Sequence, residues 1–267
     1  MRVICLPLAV DNTTTIADRR AAAAEKLASA PPADLYVLPE LWGVGFTAYD
    51  DYADASESLD DSPTLRLLAD AARARGAWIH GGSLVERHAA GLSNTSLLLA
   101  PDGSLRATYR KVHLFGYQSR EATLLTPGYE VVTADLGEFR VGLATCYDLR
   151  FPELFRAQID MGATLLLVAS AWPLTRLEHW RLLNRTRAVE NLAYLVACNT
   201  TGVDHGSVYA GHSLVIDPWG DVVAESDQTG AGALVADIDV QVIRRVRAEF
   251  PALDSRRPIS ELQHRAL

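Results

Sequence analysis

Three residues whose side chains can break an acyl bond stand at or just beyond apolar runs. Cys146 follows the run Phe139 to Thr145 and precedes Tyr147-Asp148-Leu149-Arg150-Phe151-Pro152-Glu153. A cysteine between a strand and a helix feels the positive end of that helix, and a nearby arginine also favours the thiolate. A buried structural thiol is the competing reading, because cysteine is among the most buried residue types. Glu40 closes Leu35-Tyr36-Val37-Leu38-Pro39, which puts it at the carboxyl edge of a sheet, where ligands bind in α/β folds. Lys111 follows a hairpin in Tyr109-Arg110-Lys111-Val112-His113-Leu114-Phe115-Gly116. Taken singly, a strand-end glutamate and a lysine past a hairpin read as solvated surface groups.

The elements that must carry these groups alternate along the chain. Val3 to Val10 reads as a buried strand, Ile16 to Ala28 as an Ala-rich helix and Leu35 to Leu38 as a short strand. Thr64 to Arg75 has the helical spacing, Trp78 to Val85 reads as a strand, and Thr95 to Ala100 with Leu105 to Tyr109 as a hairpin turned at Pro101-Asp102-Gly103. The order then repeats: a strand over Phe139 to Thr145, a helix opening at Pro152, a strand over Leu165 to Ala169, a helix over Glu178 to Asn191 and a strand over Tyr194 to Ala197. A second hairpin turns at Asp217-Pro218-Trp219-Gly220, and Ser213 to Gly220 aligns with Ser96 to Gly103. Two similar α/β halves without a Ser/Gly/Pro-rich linker predict a single duplicated domain over 1–267. Its two sheets stack with helices outside, a four-layer α-β-β-α sandwich.

Composition narrows the function. With 49% hydrophobic and 22% charged residues the chain is globular, and a net charge of −8 argues against nucleic acid or an anionic membrane as partner. Three cysteines without a C-x-x-C pair give no disulfide framework or zinc site and suit the reducing cytoplasm. Seven histidines without an H-E-x-x-H pattern give no metal, and no cofactor is expected. The first apolar run is too short, and broken by Pro7, for a signal peptide, and nothing approaches the ~20 apolar residues of a membrane span. Gly43-Val44-Gly45-Phe46-Thr47-Ala48 fits a loose dinucleotide pattern, but Asp50, Asp51, Asp54, Glu57, Asp60 and Asp61 follow and would repel phosphate. That stretch reads as a solvated loop, with a flap over a pocket as the alternative, and Arg244, Arg245 and Arg247 read as the solvated face of a short helix.

Leu38-Pro39-Glu40-Leu41, Tyr109 to Phe115 and Cys146 to Glu153, in this order, resemble the nitrilase superfamily of carbon–nitrogen hydrolases. So do Thr126-Pro127-Gly128, Arg187-Ala188-Val189-Glu190-Asn191 and Gly211-His212-Ser213. The resemblance runs from the first strand to about Asp239 and implies the same sandwich. It also implies roles that suit amide hydrolysis. Cys146 is the nucleophile, Glu40 the proton acceptor and Lys111 the oxyanion charge, aided by a backbone N–H after Cys146. Glu121, between lysine and cysteine, is the second glutamate that positions substrate or lysine.

Arg150 and the run from Ala171 to Trp180 are similar to the omega-amidase-like branch, with small amides that bear a carboxylate, such as 2-oxoglutaramate, as substrates. Arg150, Tyr147, Trp172 and Arg176 are the implied substrate contacts, since guanidinium meets carboxylate in a two-pronged fork. A salt bridge from Arg150 to Asp148 or Glu153 is the other reading. Deaminated-glutathione amidase, N-carbamoyl hydrolase and nitrilase activities, and an inactive binding protein on the same fold, are the alternatives. A homodimer or larger homo-oligomer is expected, with the tail from about residue 250 at a subunit interface.

Overall fold

A computed structural model describes residues 1–257. Two six-stranded sheets have the same plan. In the first, Arg2–Cys5, Leu35–Val37 and Trp78–His88 run parallel. Gly91–Leu99 and Leu105–Arg110 extend one edge antiparallel, and Leu234–Asp237 closes the other. In the second, Phe139–Thr145, Leu165–Ser170 and Tyr194–Asn199 run parallel. Leu214–Ile216 and Val222–Glu225 extend one edge antiparallel, and Thr133–Leu136 closes the other. The repeat seen in the two hairpins therefore extends to both whole sheets.

The two-residue period of the strands builds the layers. Val3, Cys5, Leu35, Val37 and Leu98 share one core with Leu143, Leu165, Leu167 and Val196 of the second sheet. Their neighbours Ile4, Tyr36, Ile79, Leu97 and Leu99 point the other way and pack with Ala23, Leu27, Leu68 and Ala72. Those four belong to helices Ile16–Ser29 and Pro63–Arg75. On the far side, Phe155, Ile159, Trp180 and Ala188 cover the second sheet from helices Pro152–Asp160 and Leu177–Asn191. The result is the α-β-β-α sandwich. Among the described residues no helix is long and apolar enough to cross a membrane.

Local chemistry sets the element ends. Thr15 and Asp18 form a capping box, Ser62 caps the helix that Pro63 opens, and Pro152 occupies the first turn of its helix.

Three expectations need correction. The run Val3 to Val10 is two strands, because Pro7 has no N–H to continue a ladder. Ala9–Asp11 instead joins Thr201–Asp204 and Ser207–Val208 in a third, small sheet. The acidic stretch is only partly solvated: Tyr52 and Glu57 are buried, and Glu57 accepts from Arg20 at 2.5 Å and from the Thr64 hydroxyl at 2.6 Å. Arg247 is no solvated cation. It donates to the carbonyls of Leu192 (3.0 Å), Ala163 (3.3 Å) and Asn191 (3.4 Å), two of them at the end of helix Leu177–Asn191. The C-terminal tail proposed for a subunit contact lies largely outside the described residues, although Arg256 reaches back to Asp160 at 2.6 Å.

One buried group makes the fold pH-sensitive. His80 is fully buried, opposite Val37 and Leu98, and neither ring nitrogen has a partner among the described residues. Burial pushes its pKa down from 6.5 to about 4. The fold thus holds neutral imidazole, while the unfolded chain takes up a proton below about pH 6.5. Stability from this residue is complete above that pH and is lost as pH falls toward 4, by about 2 kcal/mol at pH 5. Urea unfolding at pH 7 and pH 5 should show a smaller acid loss in His80→Leu than in the unmodified protein. Equal losses would remove His80 as the cause.

Candidate active site

Parallel strands of both sheets end at one place. Glu40 lies beyond Leu35–Val37, Cys146 directly follows Phe139–Thr145, and Ala171 directly follows Leu165–Ser170. Lys111 leaves the edge strand Leu105–Arg110, its N–H still bonded to the Asn94 carbonyl at 2.9 Å. Glu121 opens the one-turn helix Glu121–Leu124. The side chains of Glu40, Lys111 and Glu121 are all fully buried.

Their polar atoms are matched almost one to one. Lys111 Nζ donates to Glu40 Oε1 at 2.9 Å and to Glu121 Oε1 and Oε2 at 2.9 and 3.0 Å. Glu40 Oε2 accepts from the Ala171 N–H at 2.9 Å, and Glu121 Oε2 from the Phe115 N–H at 2.7 Å. Asn94 Nδ2 reaches both carboxylates. Burial works against the Lys111 ammonium, yet Glu121 and Glu40 outweigh it and hold its pKa well above the usual lysine value. Burial raises Glu121, helped by Glu40 and opposed by Lys111.

Cys146 begins a five-residue turn, Cys146–Arg150, with φ of 49°, a left-handed conformation costly for a residue with a Cβ. Asp148 fixes that turn. It accepts from the Thr145 N–H (2.9 Å), the Tyr109 hydroxyl (2.7 Å) and the His113 N–H (3.0 Å), tying the lysine segment to the cysteine segment. From behind, Arg187 donates to the Leu149 carbonyl at 3.0 Å, which explains part of the Arg187–Asn191 motif. Gly128 explains another, because a Cβ there would lie 2.1 Å from the Arg110 carbonyl oxygen while its N–H holds the Lys111 carbonyl.

Burial opposes the thiolate that a nearby helix end and arginine would favour. Burial raises the Cys146 thiol well above its usual pKa, and the Glu40 charge adds to the rise. Lys111 and the Ala171 N–H pull only partly the other way. The turn is one short 3₁₀ segment and Arg150 lines the cavity, while the charges that act most on Cys146 are those of Glu40 and Lys111. Cys146 is therefore a thiol that must lose its proton to act.

Cys146, 8% exposed, is the member of this group that reaches solvent-accessible space. It lines a cavity of about 220 Å³ with Tyr147, Arg150, Trp172 and Arg176, so all four expected substrate contacts meet there. Arg150 lies over the Trp172 ring at 5.2 Å and Arg176 over the Phe115 ring at 5.5 Å. Part of the wall was not anticipated: Phe46, Thr47 and Tyr49 from the segment after Glu40, and Ser207 and Tyr209 from the small third sheet and just beyond it. Asp204 joins these two rims, accepting from the Thr47 N–H at 2.8 Å and the Tyr209 hydroxyl at 3.1 Å. Asn94 was also missed, although a lone amide among the inward positions of a buried strand was a signal available in the sequence.

A buried carboxylate and ammonium beside a thiol that lines a small cavity supply the groups that thiol-dependent hydrolysis needs. Residues 9–248 match the carbon-nitrogen hydrolase family, and the chain belongs to it, a hydrolase acting on carbon–nitrogen bonds within the nitrilase superfamily. Inside that superfamily it lies in the omega-amidase branch. It is 39% identical to a 2-oxoglutaramate amidase of Paenarthrobacter nicotinovorans, over 96% of this chain and 89% of that protein. It is 35% identical to an omega-amidase of Mus musculus, over 92% and 90%. Among solved structures, a CN-hydrolase superfamily protein of Xanthomonas campestris with an arsenic adduct in its active site superposes with a TM-score of 0.89. That match has 31% identity and covers 97% of this chain and 98% of that one.

Proposed function

We propose that the protein hydrolyses the terminal amide of a small carboxylate-bearing acid, with 2-oxoglutaramate as the representative substrate, to the diacid and ammonia. One observation carries this reading. Arg150 and Arg176 line the cavity beside Cys146, and neither pairs with a carboxylate among the described residues of a chain with net charge −8. Arg150 is bonded instead to His179 Nδ1 at 3.3 Å. Two guanidiniums held on aromatic rings and without a carboxylate partner among the described residues suit the carboxylate of a ligand. The relatives that are 2-oxoglutaramate amidases support the same choice. A cavity of about 220 Å³ fits an acyl group of a few carbons.

The chemistry follows from the charges. Glu40 accepts the Cys146 proton as sulfur adds to the amide carbonyl. Lys111 and the N–H after Cys146 balance the oxyanion. Collapse breaks the carbon–nitrogen bond, Glu40 returns its proton to the leaving nitrogen, and ammonia departs from a thioester. Glu40 then takes a proton from water, hydroxide adds to the thioester carbonyl, and the second collapse releases the acid and the sulfur, which regains its proton. Glu121 holds Lys111 throughout, so the ammonium keeps its place when Glu40 changes charge.

The assembly proposed with this function is a homodimer or larger homo-oligomer in the cytoplasm, where three free cysteines stay reduced. Light scattering should give a mass of at least two chains, and the mass of one chain would contradict it. For the substrate, ammonia release should be compared across 2-oxoglutaramate, succinamate, deaminated glutathione, N-carbamoyl amines and simple nitriles. The acidic monoamides should be turned over fastest. Arg150→Ala should raise KM for acidic amides by about tenfold or more and leave neutral amides within about threefold, as loss of a charged hydrogen-bond pair requires. Equal losses on both classes would sink the carboxylate contact.

A further inference from the structure

Four atoms in the buried cluster form a closed ring. Lys111 Nζ stands 2.9 Å from Glu40 Oε1 and 2.9 Å from Glu121 Oε1. Asn94 Nδ2 stands 2.8 Å from that same Glu40 oxygen and 3.1 Å from that same Glu121 oxygen. Two acceptors thus occupy opposite corners and two donors the other two. An amide nitrogen has two hydrogens, one for each carboxylate. Asn94 is fully buried, and its own Oδ1 has no partner among the described residues. The residue therefore forgoes satisfaction of its acceptor while both donor hydrogens are spent on the glutamates.

The electrostatics say why a second donor matters. Glu40 and Glu121 share one ammonium, so two negative charges face one positive charge out of water. Two carboxylates in such a site relieve their repulsion by retaining a proton between them, as like-charged pairs do. A proton kept there would leave Glu40 unable to accept the one on Cys146. We propose that Asn94 is a positioning residue that keeps both Glu40 and Glu121 ionised, and so keeps Glu40 available as the base for Cys146. This rests on the reading of Glu40 given above. Asparagine suits the role by elimination: aspartate would add a third carboxylate, and leucine of similar size would supply no donor. The backbone fixes its reach, because the Asn94 carbonyl accepts the Lys111 N–H at 2.9 Å and the two residues stay side by side on neighbouring segments.

The test is the pH profile of kcat and of kcat/KM for Asn94→Leu and Asn94→Ser, with folding checked by circular dichroism. In Asn94→Leu the acid limb should move up by about one pH unit or more. At pH 7 kcat should fall by about tenfold or more, with KM within about threefold and partial recovery at higher pH. Asn94→Ser, which keeps one donor, should move the limb in the same direction by less. An acid limb that stays in place overturns the proposal, whether activity is kept or uniformly lost, since uniform loss is what a packing role alone would give. If neither variant folds, infrared spectra of the unmodified enzyme at neutral pH decide it. A protonated-carboxyl band that disappears in Glu121→Gln would show that the pair holds a proton despite Asn94, and no such band supports the assignment. Wild-type turnover in Glu40→Gln would instead refute the base itself, an outcome separate from any result at Asn94.

Discussion

The site is organised around one ammonium buried between two carboxylates. Lys111 has given up water entirely, as have Glu40 and Glu121. A charge in that position is tolerated only when it is paired and its remaining hydrogens and lone pairs are satisfied. The backbone N–H groups of Ala171 and Phe115 and the Asn94 amide complete that requirement. Removing Lys111 would leave two buried carboxylates without a counter-charge, and deleting one partner of a buried pair costs about 3–5 kcal/mol. Stability and the proposed chemistry therefore rest on the same contacts, and the sandwich must hold them to within hydrogen-bond tolerance.

The architecture meets that demand by stacking two copies of one plan. Glu40, Asn94, Lys111 and Glu121 come from the first half of the chain, Cys146 and Ala171 from the second. Because the inward faces of both sheets share a core, the ends of their parallel strands cannot drift apart without opening it. Close approaches lock the connecting loops. A Cβ on Gly82 would fall 1.8 Å from the Pro39 carbonyl oxygen, so the segment that presents Glu40 can pass only a glycine there. Asp148 does the corresponding work between the lysine and cysteine segments through side-chain hydrogen bonds.

Much of this was legible in the sequence because it obeys local rules. Periodicity located most of the strands and helices, the two aligned hairpins exposed the duplication, and the ordered words around Glu40, Lys111 and Cys146 gave the superfamily. What escaped depends on long-range placement. Asn94 shows in the sequence only as an amide on an inward strand position, and its contact with Glu121, 27 positions later, comes from the fold. Tyr209 and Ser207 reach the cavity beside a small sheet whose central strand, Thr201–Asp204, pairs with Ala9–Asp11 near the start of the chain, a contact no local pattern announces. The balance of fields on Cys146 is also set at long range. Its helix and its arginine are local, but burial and the Glu40 charge arrive from elsewhere and win.

The proposed hydrolysis depends on Glu40 taking the proton that burial keeps on Cys146. Intact-protein mass spectrometry on enzyme quenched soon after mixing with 2-oxoglutaramate measures that step directly. The unmodified protein should carry an acyl group on Cys146, equal in mass to the substrate less ammonia, while Glu40→Gln remains unacylated over the same interval. Acylation of Glu40→Gln at the unmodified rate, or an acyl group found on any other residue, would contradict it.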